Sequence, residues 1–224
     1  MRHGIYTHNT KTFTKSDCCQ LDLKKKWNLS EKMQTIKIVC IGDGSVGKTS
    51  LLSTFATNKF PNEYEPTVFD NYSCNMIYNG QTFNLQLWDT AGQEDYANVR
   101  SLSYTDTDIF LICYSCISPS SYKNITSKWM SEITSHCPSA SRVLVSCKID
   151  CLHDESCRNA LSLKNISPLL TGDLETLKKE IKAFEAHACS AKTGEHLTDI
   201  FISCIKAFLA RKTTQTSGCS CVIG

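Results

Sequence analysis

The residues that most restrict this chain are Gly42-Asp43-Gly44-Ser45-Val46-Gly47-Lys48-Thr49, placed directly after the apolar run Ile36 to Ile41 and before Ser50-Leu51-Leu52. The spacing G-x-x-x-x-G-K-[ST] is useful only between a strand and a helix. There, glycines let successive backbone N–H groups wrap a polyphosphate, and the helix behind adds the positive end of its dipole. Val46 and Ser50 fall within the same turn. Lys48 then reaches the β- and γ-phosphates and Thr49 a Mg²⁺ ion. The loop by itself predicts a nucleoside triphosphate and leaves the base open.

Strand and helix periods alternate along the rest of the chain. Tyr72–Tyr78 and Thr82–Asp89 flank Asn79-Gly80, a pair suited to a two-residue type I′ hairpin, and Phe83, Leu85 and Leu87 alternate with polar neighbours. The runs Ile109–Cys113 and Val143–Val145 are continuously apolar, as parallel strands covered on both faces are. Ser118-Pro119 reads as an N-cap followed by Pro at the first helical position, with Tyr122, Ile125, Trp129 and Ile133 as the buried stripe. Leu174, Leu177, Ile181 and Phe184 mark another helix, and Leu197, Ile200, Phe201, Cys204, Ile205, Phe208 and Leu209 the last. This alternation predicts an α/β fold, a doubly wound and mostly parallel six-stranded sheet with one antiparallel hairpin strand. Ligands of such sheets lie at the carboxyl ends of the strands, where the phosphate loop falls.

Composition narrows the class. At 224 residues the chain fits one domain, and a net charge of +2 with pI near 7.9 gives no nucleic-acid footprint. No run approaches the roughly 18 apolar residues of a membrane span, and the N-terminus has no apolar signal core, so a cytosolic chain is expected. The 14 cysteines are scattered, several inside apolar runs, as in a reducing compartment rather than a disulfide framework. Cys113-x-x-Cys116 has no second ligand pair for zinc. Residues 1–32, with seven Lys/Arg against three acids and no periodicity, are expected to be a flexible, mildly basic extension.

Three further strand ends choose base and chemistry. Asp89, ending an apolar strand, can hold Mg²⁺ through its water shell, Gly92 lets a backbone N–H approach a γ-phosphate, and Gln93 is placed to orient an attacking water. Cys147-Lys148-Ile149-Asp150 and Ser190-Ala191-Lys192 follow two later strands. A carboxylate at Asp150 accepts the ring N–H and exocyclic amine of guanine together, a donor pair adenine lacks, while Lys148 can lie over the purine.

Together these residues resemble the Rho/Rac branch of the small Ras-like GTPases. The resemblance spans residues 33–224 and is most branch-specific at Tyr64-Glu65-Pro66-Thr67-Val68-Phe69-Asp70-Asn71-Tyr72, with Ala91-Gly92-Gln93-Glu94-Asp95-Tyr96 and Ser103-Tyr104. It implies a G domain over 33–210 with a Rho-type insert near 151–166 and a lipidated tail over 211–224. It implies that Phe60 packs on the guanine edge with Tyr64 nearby, and that Thr67 closes on Mg²⁺ and the γ-phosphate. Residues 60–72 and 92–104 become the two switches, with Val68, Phe69, Asp70, Asn71, Tyr72 and Tyr96 as effector surface. Trp88 matches a position that helps select exchange factors.

The implied activity is a Mg²⁺-dependent GTP/GDP switch with slow hydrolysis carried by Gln93, Lys48, Thr67 and Gly92, on the order of 10⁻⁴ to 10⁻² s⁻¹ without an activating protein's arginine. Exchange factors, activating proteins and effectors are the implied partners, with no nucleic acid. Intact Gly44 and Gln93 fit a cycling switch; a GTP-binding scaffold with little turnover, and a phosphate-loop kinase or ATPase, are the alternatives. The chain departs from the branch at Cys147, where Asn or Thr is usual, which predicts faster nucleotide release, and at Asn98 and Ser101 in the second switch, which bears on dissociation-inhibitor binding. Its tail, Cys219-Ser220-Cys221-Val222-Ile223-Gly224, has prenylation spacing at Cys221 with an unusual last residue, Cys219 as a palmitoylation candidate, and only Arg211 and Lys212 as a basic patch. The expected location is cytoplasmic and peripheral, at the inner face of the plasma membrane or on endomembranes.

Overall fold

A computed structural model describes residues 9–10, 33–61 and 66–217. In chain order the elements are β1 (Asn9–Thr10), β2 (Gln34–Ile41), α1 (Lys48–Thr57), β3 (Phe69–Tyr78), β4 (Gln81–Thr90), α2 (Ala97–Leu102), β5 (Ile109–Ser115), α3 (Pro119–Asn124), α4 (Met130–His136), β6 (Ser141–Cys147), α5 (Glu155–Leu163), α6 (Thr171–Glu180), β7 (Glu185–Ala188) and α7 (Leu197–Ser217). The sheet order is β1-β3-β4-β2-β5-β6-β7. Among the described residues only β3 and β4 pair antiparallel, through Asn79 and Gly80, both with positive φ (50° and 80°) as a type I′ turn requires. The six expected strands are all present. A short addition was not foreseen, Asn9–Thr10 pairing parallel with Cys74–Asn75 on the outer edge of β3.

Helices cover both faces of the sheet, which is why β5 is buried at every position. On one face α1 and α7 pack over β2 and β4, with Phe55 and Phe201 stacked at 3.6 Å between ring centroids. On the other, Trp129, Ile133, Leu174 and Leu177 seal β5 and β6. Each such side chain contributes about 1.5–3 kcal/mol by leaving water. That fixes the strand ends, and with them the loops that the site is made of.

Local chemistry sets the boundaries. Ser118 caps α3 by accepting from the Ser121 amide, with Pro119 at the first helical position as the sequence implies. Asp154 caps the helix of the expected insert, α5, by accepting from the Cys157 amide. One boundary differs from expectation. Helix α6 ends at Glu180, and Lys182 turns left-handed (φ 52°); Phe184 then sits exposed, its amide donating to Arg142 to start β7, rather than continuing the buried stripe. Helix α7 runs from Leu197 to Ser217, with Arg211 paired to Asp108 and Lys212 Nζ donating to Gln34 Oε1 at 2.6 Å.

Between α3 and α4 the helix makes one wider turn at Ile125–Trp129, closed by the Met130 amide on the Ile125 carbonyl. In an ordinary helix residues five apart stand about 140° apart around the axis. The five-residue turn puts Asn124 and Trp129 on nearly the same face.

Candidate functional site

The phosphate loop leaves β2 through Gly42 (φ 138°), where a Cβ would lie 2.1 Å from the Cys113 carbonyl oxygen, so no side chain fits. Gly47 (φ 115°) caps α1, and Lys48 at the first helical position is buried. Its ammonium bends back over the loop, donating to the Gly42 and Asp43 carbonyls at 2.8 Å each. The loop thus carries a fixed positive charge across its mouth. Val46 is the loop's apolar foot in the core.

Beside the loop lies a cleft of about 900 Å³ lined by Gly44, Ser45, Thr49, Ser50, Thr67 and Gln93, among others. It joins a narrower slot of about 110 Å³ walled by Phe60, Cys147, Lys148, Asp150, Ala191 and Lys192. The described residues of every loop named in the sequence therefore reach one continuous depression. Tyr64 lies outside the described residues, as do Cys219 and Cys221.

Thr49 and Thr67, 18 positions apart, meet hydroxyl to hydroxyl at 2.6 Å. Beneath them Asp89 is fully buried with neither carboxylate oxygen hydrogen-bonded. Burial raises its carboxyl above the usual range, and the neighbouring Asp70 adds to this, against the pull of the Thr49 hydroxyl and the Lys48 ammonium. A buried carboxylate without partners is costly. Two hydroxyls beside it make an all-oxygen donor set of the kind a hard divalent cation takes, so these residues fit Mg²⁺.

Gly92 presses its backbone on the loop. A Cβ there would lie 2.3 Å from Asp43 C and Gly44 N and 2.5 Å from the Gly42 oxygen. Gly44 is open except toward Gln93, whose Cγ is 4.0 Å from where its Cβ would be. Gln93 is exposed, beside the loop.

The slot is shaped by Lys148, in left-handed backbone (φ 67°), whose Nζ donates to the Ser45 carbonyl at 2.8 Å and so spans from the slot to the phosphate loop. Ser190 Oγ donates to Asp150 Oδ1 at 2.7 Å and is itself fixed by the Thr193 amide, holding the carboxylate at the slot wall. Cys147 is buried against Gly47, its Cβ 3.6 Å from where a Cβ of Gly47 would stand. The Cys113 and Cys189 thiols hydrogen-bond to it and hold it below the ordinary thiol range.

Val68, Phe69, Asp70 and Asn71 are exposed along the start of β3, and Tyr72 is half-buried, its phenol raised by burial and by Asp70. Tyr96 is partly exposed. Trp88 carries the Lys37 ammonium 4.0 Å from its ring and meets Phe69 edge-on. The two unusual residues of the second switch touch each other: Ser101 Oγ donates to the Asn98 carbonyl at 2.8 Å.

Four residues around the site were not singled out for chemistry in the sequence. Arg100 is buried and donates to the Ala91 and Gln93 carbonyls at 2.7 and 3.0 Å, while its Nε and Nη2 grip both oxygens of Glu132 at 2.7 and 3.0 Å. Asn124 and Trp129 both donate to the carboxylate of Asp43 at 2.7 Å. Trp129 keeps the helical spacing of the buried stripe with Ile125 and Ile133, so periodicity marks it only as core and gives no signal for these bonds. A model of the Ras family matches residues 37–210, from within β2 through most of α7.

Proposed function

Because the chain belongs to the Ras family of small GTPases, we propose that it is a Rho-type switch that alternates between GTP and GDP, uses Mg²⁺, and hydrolyses GTP slowly. The observation that carries this is the meeting of Thr49 and Thr67 above the partnerless carboxylate of Asp89, with Gly92 against the phosphate loop. Thr49, Thr67 and Asp89 would hold Mg²⁺, which supplies charge neutralisation to the phosphates when bound.

The chain's own residues account for the rest. Lys48 and the loop amides bind the β- and γ-phosphates; Asp150, with Ser190 behind it, takes the guanine N–H pair; Lys148, Phe60, Ala191 and Lys192 enclose the base. Gln93 orients the attacking water beside Gly44. Catalysis of this kind is positioning and electrostatics, which a single missing arginine keeps slow. The helix α5, inserted between Asp150 and β7, and the sequence from Tyr64 to Tyr72 support the Rho assignment. Exchange factors, activating proteins and effectors would read the exposed residues from Val68 to Tyr72 and Tyr96. Lipid on Cys221, with Cys219, would hold the protein at the cytoplasmic face of the plasma membrane or of endomembranes.

Single-turnover phosphate release from GTP-loaded protein tests the switch, with a Rho-type activating protein added in a second arm. Slow release that the activator accelerates by roughly 10³–10⁵ supports the proposal. Tight GTP binding with no release in either arm replaces it with a non-cycling scaffold.

A further inference from the structure

One face of the helix from Pro119 to His136 touches both halves of the hydrolytic site. Asn124 and Trp129 hold the Asp43 carboxylate at 2.7 Å each, and the Asp43 carbonyl is one of the two that fix the Lys48 ammonium. The guanidinium of Arg100 lies 4.7 Å from the Trp129 ring centre, and donates to the Gln93 carbonyl. Glu132, one turn beyond Trp129, orients Arg100 through two bonds and is itself steadied by the Tyr104 hydroxyl at 2.6 Å. Trp129 and Arg100 are both buried.

A chain of contacts therefore runs Asp43, Trp129, Arg100, Gln93. Its first link fixes the loop that holds phosphate, and its last fixes the backbone from which the water-orienting side chain springs. The five-residue turn at Ile125–Trp129 is what brings the Asn124 and Trp129 donors to one carboxylate. A core tryptophan needs only a partner for its N–H, and any nearby carbonyl would serve. Spending that N–H, and an asparagine with it, on the carboxylate of the phosphate loop has a different consequence. It sets the distance between the two parts of the site that must be in register when γ-phosphate is attacked.

We propose that Trp129 and Arg100, braced by Asn124 and Glu132, are positioning residues for GTP hydrolysis, a frame that registers Gln93 against the phosphate loop. This rests on the GTPase function proposed above. The frame touches neither the base slot nor the Thr49–Thr67 pair, and reaches the phosphate loop only at Asp43, so its loss acts chiefly on the rate of hydrolysis and shifts GDP affinity by no more than about threefold. A register error near 1 Å costs up to about 10²-fold in rate; loss of one link, with the others in place, is expected to cost about tenfold.

The test uses the full chain. Trp129→Phe keeps the ring and removes the N–H; Asn124→Ala removes the second donor from a partly exposed position. For each, hydrolysis is measured in a single turnover per bound GTP, alongside GDP affinity and the melting temperature. The expected result is a roughly tenfold slower rate with GDP affinity within threefold of wild type, and less than additive losses when Trp129→Phe is combined with Glu132→Gln. A role in packing alone lowers the melting temperature and leaves the rate per bound nucleotide unchanged. Wild-type turnover with both single variants within twofold of it overturns the frame and leaves the GTPase function standing; GTP bound without turnover by wild type overturns both.

Discussion

Replacing Gly92 by Ala asks the most of the site for the smallest chemical change. The added Cβ would stand 2.3 Å from Asp43 C and Gly44 N, whereas carbon contacts settle near 3.5–4.0 Å. The shortfall exceeds an ångström and both neighbours are backbone, anchored by Lys48 and by the ends of β2 and α1. The segment from Ala91 to Gln93 must therefore withdraw. A retreat of about 1 Å lengthens the Arg100 bond to the Gln93 carbonyl, now 3.0 Å, past the limit of a hydrogen bond near 3.5 Å. Gln93 loses its placement, and hydrolysis is expected to fall by about 10²-fold. GDP binding rests on the loop and the base slot, so its affinity should stay within a few-fold of wild type. Single-turnover phosphate release, with GDP dissociation measured in parallel, gives both numbers. A Gly92→Ala protein that hydrolyses GTP within twofold of wild type would refute the claim that this contact sets the geometry. Gly44→Ala is the useful contrast, because its Cβ meets only the Gln93 side chain, at 4.0 Å, and the loop itself need not move.

Three other outcomes can be measured with purified protein. Arg100→Met leaves half-buried Glu132 without its cation, a loss of about 1–3 kcal/mol and, at roughly 2–4 °C per kcal/mol for a domain of this size, a melting temperature lower by about 5 °C; adding Glu132→Leu should recover part of it, and an unshifted melt for the single variant would contradict the ion pair. The Asp89 carboxyl is raised by burial, so in metal-free protein its stabilising contribution is complete below the unfolded value near 3.9 and lost as pH rises through the folded one. In chelator at neutral pH, Asp89→Asn should therefore melt above wild type, with the gap closing toward pH 4, and excess Mg²⁺ should raise the wild-type melt only. Cys147→Thr should slow GDP release by restoring a hydroxyl beneath Gly47; an unchanged off-rate would mean the thiol is no weaker a brace.

The phosphate loop, the hairpin and the apolar strands were legible because each is a local pattern: glycines at fixed intervals, Asn-Gly between alternating arms, unbroken runs where both faces are covered. Asp89, Gln93, Lys148 and Asp150 were legible for a related reason, since each ends or follows a strand whose end the fold must bring to the loop. Arg100 and Glu132 were not. They are 32 residues apart on two short helices, and only the tertiary fold, which lays Arg100 over the Trp129 ring, brings them together. Trp129 was read as core, and it is core, but periodicity says nothing of where an indole N–H points. Phe184 was misplaced for the converse reason: its spacing fits the stripe of α6, yet the left-handed turn at Lys182 ends the helix first. The wide turn at Ile125–Trp129 has no composition signal, because no residue type demands it.

The last helix has a directional consequence. Asp108, which pairs with Arg211, precedes β5, and Gln34, which takes the Lys212 ammonium, begins β2. Both stand at the amino ends of parallel strands, whereas the phosphate loop and the base slot follow the carboxyl ends of β2, β6 and β7 in the same sheet. An eight-residue strand such as β2 spans about 26 Å, so α7 delivers the polypeptide to the pole opposite the nucleotide. Anything tethered beyond Ser217 is thereby held at arm's length from the switches. With the tail fastened to a flat support, the domain would stand with its nucleotide mouth turned outward, open to whatever arrives from solution.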